Sequence, residues 1–385
     1  MAATRLALWL NPVRTPGLIR INAIASCGRG VILGQHGLIF PLAPGSSVDL
    51  MTRVTTPEPA HAVRAALANC KPAGAAGVEI PPVALGCGNF GGVGSAPEFF
   101  GGGLSDDQAR ELMDAAWELG ITHFDTADAY GGGRSEQAIG QWIAARGVVP
   151  RLTTKTFNPM TAGADRGLRP ERIARQLESS LERLGVAQVD LYLAHEFDPD
   201  VPLADTIAAF EDAISAGFIR AYGVSNFSSG QLLPALEAGA PAAIQNSFSL
   251  LDRQDATDLL DLCQQRNVAY LAFSPLAGGW LTGKYRRSEP YPAGSRMSQR
   301  PGPYAGLERS QTFDLLDRLA GIAHDRGTSM AGLALSWLLG DDRVTQIVVG
   351  PGSRTQLAPV AEAFEHPLTT DERTTIDSAL ALLDD

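Results

Sequence analysis

Cysteine is scarce in this sequence. Cys27, Cys70, Cys87 and Cys263 are the four, scattered and without C-x-x-C spacing. That argues against a disulfide or zinc framework and reads as reduced thiols in a cytosolic protein. Long apolar runs are missing too: none reaches the ~18 residues of a membrane span. A basic excess is absent, the formal net charge being -11. Phosphate contacts need clustered Lys and Arg, so a nucleic-acid partner is not expected. Charged residues make up only 19% and hydrophobic residues 45%, as in a globular protein with a large core. The chain's 385 residues allow one large barrel domain plus an appendage.

No acidic residue occurs before Asp49, whereas Arg5, Arg14, Arg20 and Arg29 do. Proline and glycine interrupt every apolar run of this stretch. The segment Arg5 to Leu10 is too short for a secretory core. An acid-free, Arg-bearing leader could be an organelle transit peptide. The plainer reading is a disordered extension, or an upstream start that translation does not use, with Met51 a candidate true start. Residues 52–77 are Ala- and Pro-rich and read as a linker with one short helix at 61–69. The expected division is therefore a disordered extension over 1–77 and a folded domain over 78–385.

From residue 83 onward, short apolar runs alternate with segments of helical period. Strands are predicted at Val83–Gly86, at 121–125, and at 151–157, 189–194, 219–224, 242–248, 268–273 and 344–349. Helices are predicted at 105–120, 135–146, 170–184, 203–216, 229–238, 255–266, 310–326, 329–339, 353–364 and 370–383. Ser105 caps the first of these, and Leu112, Ala115, Ala116 and Leu119 recur at helical spacing. Strands that read as continuous apolar runs are buried on both faces. Eight such strands, each followed by helix, predict an α/β fold of the closed (β/α)8 TIM-barrel type, with a doubly wound sheet as the alternative. The run Gly86-Cys-Gly88-Asn-Phe-Gly91 matches G-x-G-x-x-G, but no helix opens at Gly91, which weakens a dinucleotide-fold reading.

Catalytic groups of a barrel gather at the carboxyl ends of its strands. Strand two ends at Asp125, with Tyr130 in the Gly-rich turn beyond. Strand three ends near Lys155, and strand four at His195. Each alone is ordinary: a solvated lysine, a structural histidine, a packed tyrosine. Together they place a carboxylate, an ammonium, an imidazole and a phenol on one rim. Tyrosine titrates near pH ~10, and a nearby ammonium lowers that value. A carboxylate keeps the lysine charged and in place, and the imidazole can hydrogen-bond a substrate oxygen. The set suits proton transfer to an oxygen whose carbon receives hydride. No clustered Asp/Glu/His set points to a metal. A Schiff-base Lys155 is the chemical rival.

These residues resemble the aldo-keto reductase family, over about Pro82 to Leu357. Asp125, Tyr130, Lys155 and His195 stand where the family has its Asp-Tyr-Lys-His tetrad. The segment Gly120-Ile-Thr-His-Phe-Asp-Thr-Ala-Asp-Ala-Tyr-Gly131 looks like its first signature. Gly223-Val-Ser-Asn-Phe227 looks like its fifth-strand motif. The resemblance implies that Ser225, Asn226 and Gln245 hold the nicotinamide amide, and that Phe273 stacks on the ring. Ser274, Leu276 and Gly278, in a motif that runs on to Lys284, would cover the pyrophosphate, with Gly88 and Asn89 near the nicotinamide end and Asp125 beside it. Beyond strand eight, Gly350, Ser353, Arg354 and Gln356 fall in the adenosine region. Gln356 and Val360 stand where the family usually has Arg and Asn, so Ser353 or Arg354 would take the 2′-phosphate. The implied cofactor is NADP(H) in preference to NAD(H), with no metal. The implied activity is interconversion of an aldehyde or ketone and its alcohol, in the cytoplasm, on a small-molecule substrate, without nucleic acid or membrane. The loops 91–103, with Phe99 and Phe100, and 278–307, with Trp280, would shape specificity. A nucleotide-binding regulatory subunit of the kind that accompanies ion channels is the alternative within the family.

Overall fold

A computed structural model of the chain describes residues 59–381 and, before them, the backbone of five strands, Leu8–Pro12, Leu18–Ile24, Gly30–Leu33, Ile39–Leu42 and Ser47–Arg53. Where the sequence predicts disorder, the extension holds paired strands: Leu18–Ile24 lies antiparallel to Leu8–Pro12 and Ser47–Arg53, and Gly30–Leu33 to Ile39–Leu42; Cys27 lies outside the described residues. Eight parallel strands close into a barrel. They are β1 (Val83–Gly86), β2 (His123–Asp125), β3 (Arg151–Thr156), β4 (Val189–Ala194), β5 (Ile219–Ser225), β6 (Ala243–Ser247), β7 (Ala269–Phe273) and β8 (Gln346–Val349). Strands adjacent in sequence are adjacent in space, and β8 closes on β1 with Ile347 opposite Val83. The TIM-barrel expectation therefore holds.

The period of two along each strand decides which groups reach the lumen. On β3, Thr154 and Thr156 face outward: Thr154 donates to Glu136 of the helix Arg134–Arg146. The alternate residues Thr153 and Lys155 face inward, onto His123 and Asp125 of β2. Amphipathic helices cover the outside. Asp106–Leu119 begins with a capping box, in which Ser105 accepts from the Gln108 N–H while Gln108 reaches back to the Ser105 N–H. It buries Ala109, Leu112, Met113 and Ala116 and ends at Gly120. Among the described residues, no helix is long and apolar enough to cross a membrane.

The linker read over 52–77 ends earlier than expected. The chain's contacts divide it at residue 61, and residues from Ala62 onward belong with the barrel. A short helix, Pro59–Leu67, stands close to the one anticipated at 61–69. A hairpin follows, Lys71–Ala73 paired antiparallel with Val78–Ile80. Its Ala73, Val78 and Ile80 are buried against the lumen residues Leu191, Leu193, Ala221, Ala243, Ala269 and Leu271. The hairpin thus plugs the mouth at the amino ends of the strands. Gly74 makes that approach feasible: it sits at φ +65, and a Cβ there would come within 2.6 Å of the Ala242 Cβ. Two predicted helices are shorter than expected and begin with single tight turns: 255–266 becomes Gln254–Ala256 then Leu259–Arg266, and 353–364 becomes Arg354–Leu357 then Ala358–Glu365.

Candidate active site

The carboxyl ends of β2, β3 and β4 bring the four rim groups together. Lys155 is fully buried and donates to Asp125 Oδ1 at 2.6 Å and to the Thr126 carbonyl at 2.8 Å. Its Nζ lies 5.2 Å from the centre of the Tyr130 ring. The rings of Tyr130 and His195 meet edge to face with centroids 5.5 Å apart. Burial pulls the Lys155 ammonium towards neutrality, but Asp125 and then Tyr130 outweigh it, and the net shift is upward. The lysine is therefore a cation held by one anion.

The phenol departs from expectation. Burial raises the Tyr130 pKa above its ordinary value, and Asp125 adds to the rise. Lys155 pulls downward, as anticipated, but does not win. The charged form loses more by leaving water than one ammonium returns. Tyr130 is thus a neutral donor at rest. Burial first, and Lys155 second, push His195 down to about 3, so the imidazole is neutral as well.

Tyr130 is delivered by a turn that only glycine can follow. Gly131, Gly132 and Gly133 all have positive φ, and a Cβ on Gly131 would meet the Phe90 carbonyl oxygen at 2.7 Å. Strain gathers elsewhere on the same rim. Asn226, Ser274 and Ala277 are non-glycine residues with positive φ at the ends of β5 and β7. Asn226 donates to the His195 carbonyl at 2.9 Å, and Ser225 to the Gln245 carbonyl at 2.7 Å. Gln245 donates its side-chain N–H to Asp125 Oδ2 at 2.7 Å.

A cavity of about 740 Å³ opens on this rim, within the ~300–1,000 Å³ of small-molecule sites. Of the residues anticipated from sequence, it gathers Gly88, Asn89, Asp125, Tyr130, His195, Ser225, Asn226, Gln245, Phe273, Ser274, Leu276, Gly278, Gly350 and Gln356. Lys155 lies beneath them. Ser353 and Arg354 are not in the lining: Arg354 is exposed, and Ser353 shares a hydrogen bond with Thr355. The Arg354–Leu357 turn buries Leu357 and leaves Arg354 outside. Thr355 takes their place in the lining, and the Gln356 side chain accepts from the Gly352 N–H at 2.8 Å. Trp280 is also not at the mouth. It is fully buried among Tyr285, Tyr291 and Phe313, the loop's own small core.

Two cations stand in the lining: Lys284, which ends the motif expected to cover the pyrophosphate, and Arg296, which was not singled out from sequence. Its signal was a charge pattern: Lys284, Arg286, Arg287, Arg296 and Arg300 crowd one loop of an otherwise acidic chain. A dinucleotide fits what is present. Gly278 and Gly279 have positive φ and leave a cradle that a Cβ would fill, striking Tyr304 at 2.6 Å and Lys284 at 2.5 Å respectively. Asn89 donates to the Pro351 carbonyl, while its Oδ1 is a buried acceptor with no partner among the described residues.

Comparison with known proteins agrees with this geometry. The family model described as "Aldo/keto reductase family" matches residues 82–381. L-glyceraldehyde 3-phosphate reductase of Escherichia coli (strain K12) is 33% identical over 328 residues, covering 80% of this chain and 91% of that protein. A putative voltage-gated potassium channel subunit beta of Schizosaccharomyces pombe is 32% identical over 283 residues, covering 68% and 80%. Among solved structures, the glycerol dehydrogenase of Gluconobacter oxydans is similar with a TM-score of 0.68 at 29% identity, covering 79% of this chain and 92% of that one.

Proposed function

The chain belongs to the aldo/keto reductase family, and from that premise we propose that it is an NAD(P)H-dependent oxidoreductase interconverting an aldehyde or ketone and the corresponding alcohol. The observation that carries the reading is the buried Lys155–Asp125 pair set directly under a neutral Tyr130, at the mouth of the cavity.

The nicotinamide, when bound, supplies the hydride. This chain's residues supply the rest. In reduction, Tyr130 gives its proton to the carbonyl oxygen as that oxygen gains charge. Lys155 stabilises the phenolate left behind, and Asp125 keeps Lys155 in register. His195 hydrogen-bonds the same oxygen and orients it. Ser225, Asn226 and Gln245 hold the amide, and Phe273 covers one ring face. We assign Lys284, beside the Gly279 turn, to the pyrophosphate. Arg296 goes to a phosphate on the adenosine, which favours NADP(H). Ser353 and Arg354 are not assigned that role.

The test is turnover of NADPH with 4-nitrobenzaldehyde. Tyr130→Phe should lower kcat by roughly 10²–10⁴-fold, the range for a lost general acid. Equal rates for the two proteins would remove Tyr130 from the mechanism. The channel-subunit reading is supported by the relative of that name. It predicts tight NADPH binding with negligible turnover across an aldehyde and ketone panel.

A further inference from the structure

His195 is expected to meet the substrate oxygen, yet a neutral imidazole has one N–H to offer. Which nitrogen carries it is set by the partner of the other. Among the described residues one side chain hydrogen-bonds this ring: Asn158, just past β3, presents its Nδ2 to His195 Nδ1 at 3.4 Å. Nε2 has no protein partner among the described residues, and His195 lines the cavity. The strand register makes the meeting possible. Thr156 stands opposite Ala194, and the His195 N–H donates to the Thr156 carbonyl, so the residues that follow lie side by side.

Asn158 is itself held from beneath. Arg172, 1% exposed, donates to the Asn158 carbonyl at 2.8 Å, to Thr156 Oγ1 at 2.8 Å and to the Gly167 carbonyl at 3.1 Å. Thr156 in turn donates to Asp128 Oδ2 at 2.8 Å. A guanidinium bonded on both sides of the loop fixes where Asn158 can point.

We propose that Asn158 is a positioning residue for His195: its amide N–H donates to Nδ1, so the ring proton sits on Nε2, which faces the cavity and donates to the substrate's carbonyl oxygen. An amide NH2 can only donate, so the nitrogen it meets must accept. The two tautomers of a neutral imidazole lie close in energy, and one weak bond decides between them. This rests on the reductase reading only for what the Nε2–H does; the tautomer itself is a property of the protein alone.

The decisive measurement is a multiple-bond 1H–15N spectrum of protein labelled at histidine, with His195 assigned by its loss in His195→Gln. At pH 7.5 the ring should show a pyrrole-type Nε2 and a pyridine-type Nδ1. Asn158→Asp places an acceptor against Nδ1 and should move the proton there. With the cavity-facing donor lost, kcat for 4-nitrobenzaldehyde should fall about 10²–10³-fold, with little change in KM. The titratable groups around the ring are Tyr130, edge-on, and Lys155, with Glu196 next in the chain. A carboxylate added there raises the imidazole pKa. Activity of Asn158→Asp should then recover as pH falls and an imidazolium regains its Nε2–H. Asn158→Ala should lose less and show no acid recovery. An Nδ1–H ring in the native protein overturns the proposal, and so does an Asn158→Asp protein that keeps the native tautomer and kcat. Should Asn158→Asp not fold, the native spectrum decides alone. An Nε2–H ring in a protein that turns over no carbonyl would sink the reductase reading and leave the tautomer assignment standing.

Discussion

Acid should loosen this barrel through its buried neutral imidazoles, His195 and His123, and the share of His123 can be isolated. His123 stands at the start of β2 inside the lumen, 1% exposed. Its Nε2 lies 2.8 Å from Thr153 Oγ1, and its Nδ1 2.9 Å from Gln346 Nε2. Gln346 Nε2 also donates to the Pro81 carbonyl at 2.7 Å. Only the neutral ring satisfies both contacts, with Nδ1 accepting and Nε2 donating. A protonated ring would set N–H against N–H unless Gln346 turned round and gave up Pro81. Burial, aided by Arg151 and Lys155, accordingly pushes the ring down to about 3. Unfolded histidine titrates near ~6.5, so below that pH the unfolded chain binds the extra proton and the folded one does not. Stability is thus intact above pH ~6.5 and is lost as pH falls towards 3. Between pH ~6.5 and ~4.5 the loss is about two pH units at ~1.36 kcal/mol each, or ~2.7 kcal/mol. A folded pKa anywhere below about 4 gives nearly the same figure. Other groups titrate over this range, Asp128 in the opposite sense because burial raises it to about 7. The comparison must therefore be with His123→Gln, which retains a donor for Thr153. Urea unfolding followed by tryptophan fluorescence should show the native protein losing ~2.7 kcal/mol more than the variant between pH 7.5 and 4.5. Parallel stability curves, within about 0.7 kcal/mol, would refute the reasoning.

The remaining predictions concern the site. Gly278→Ala forces a side chain into φ +63 and within 2.6 Å of the Tyr304 ring; left-handed strain of ~1–2 kcal/mol should weaken NADPH binding about tenfold in a fluorescence titration. An unchanged Kd would show that this loop does not cover the cofactor. Lys155→Met and Asp125→Asn should shift the Tyr130 phenol in opposite directions, since Lys155 lowers its pKa and Asp125 raises it. Phenolate absorbance, read as a difference from Tyr130→Phe, should titrate higher in the first variant and lower in the second; shifts of one sign would contradict the account.

The barrel was legible because burial on both faces writes itself into each strand as a short apolar run, and Asp125, Lys155 and His195 end three successive runs. The hairpin was not legible. Lys71–Ala73 and Val78–Ile80 are three residues each, and their burial depends on residues such as Leu193 and Leu271, far along the chain. Trp280 misled for a related reason: an aromatic beside a glycine turn looks like a pocket wall until Tyr285, Tyr291 and Phe313 are seen to enclose it. Ser353 and Arg354 were placed by position in a motif, and a single tight turn moves them off the lining. Asn158 carries no motif at all. Only the register of β3 against β4 brings it to His195.

The electrostatic design follows from what is charged and what is not. Lys155 and Asp125 are opposite charges in contact, both out of water. Removing either partner leaves a naked buried charge, which typically costs ~3–5 kcal/mol. The pair is therefore expensive to break but brings little net charge to the cavity. The groups proposed to face a carbonyl, Tyr130 and His195, are both neutral. An uncharged substrate can enter without displacing a counter-ion. In the proposed reduction, charge appears only as the carbonyl oxygen becomes an alkoxide. At that moment two preset hydrogen-bond donors meet it, and the proton that Tyr130 gives up leaves a negative oxygen beside Lys155. The developing charge so moves by one hydrogen bond, from substrate oxygen to phenol oxygen, and ends next to a cation already in position. A phenol with a lowered resting pKa would instead start partly as phenolate and repel the oxyanion it has to protonate. On the proposed mechanism, the upward shift imposed by burial is thus part of the proton donor's fitness, and Lys155 acts mainly on the product of the proton transfer.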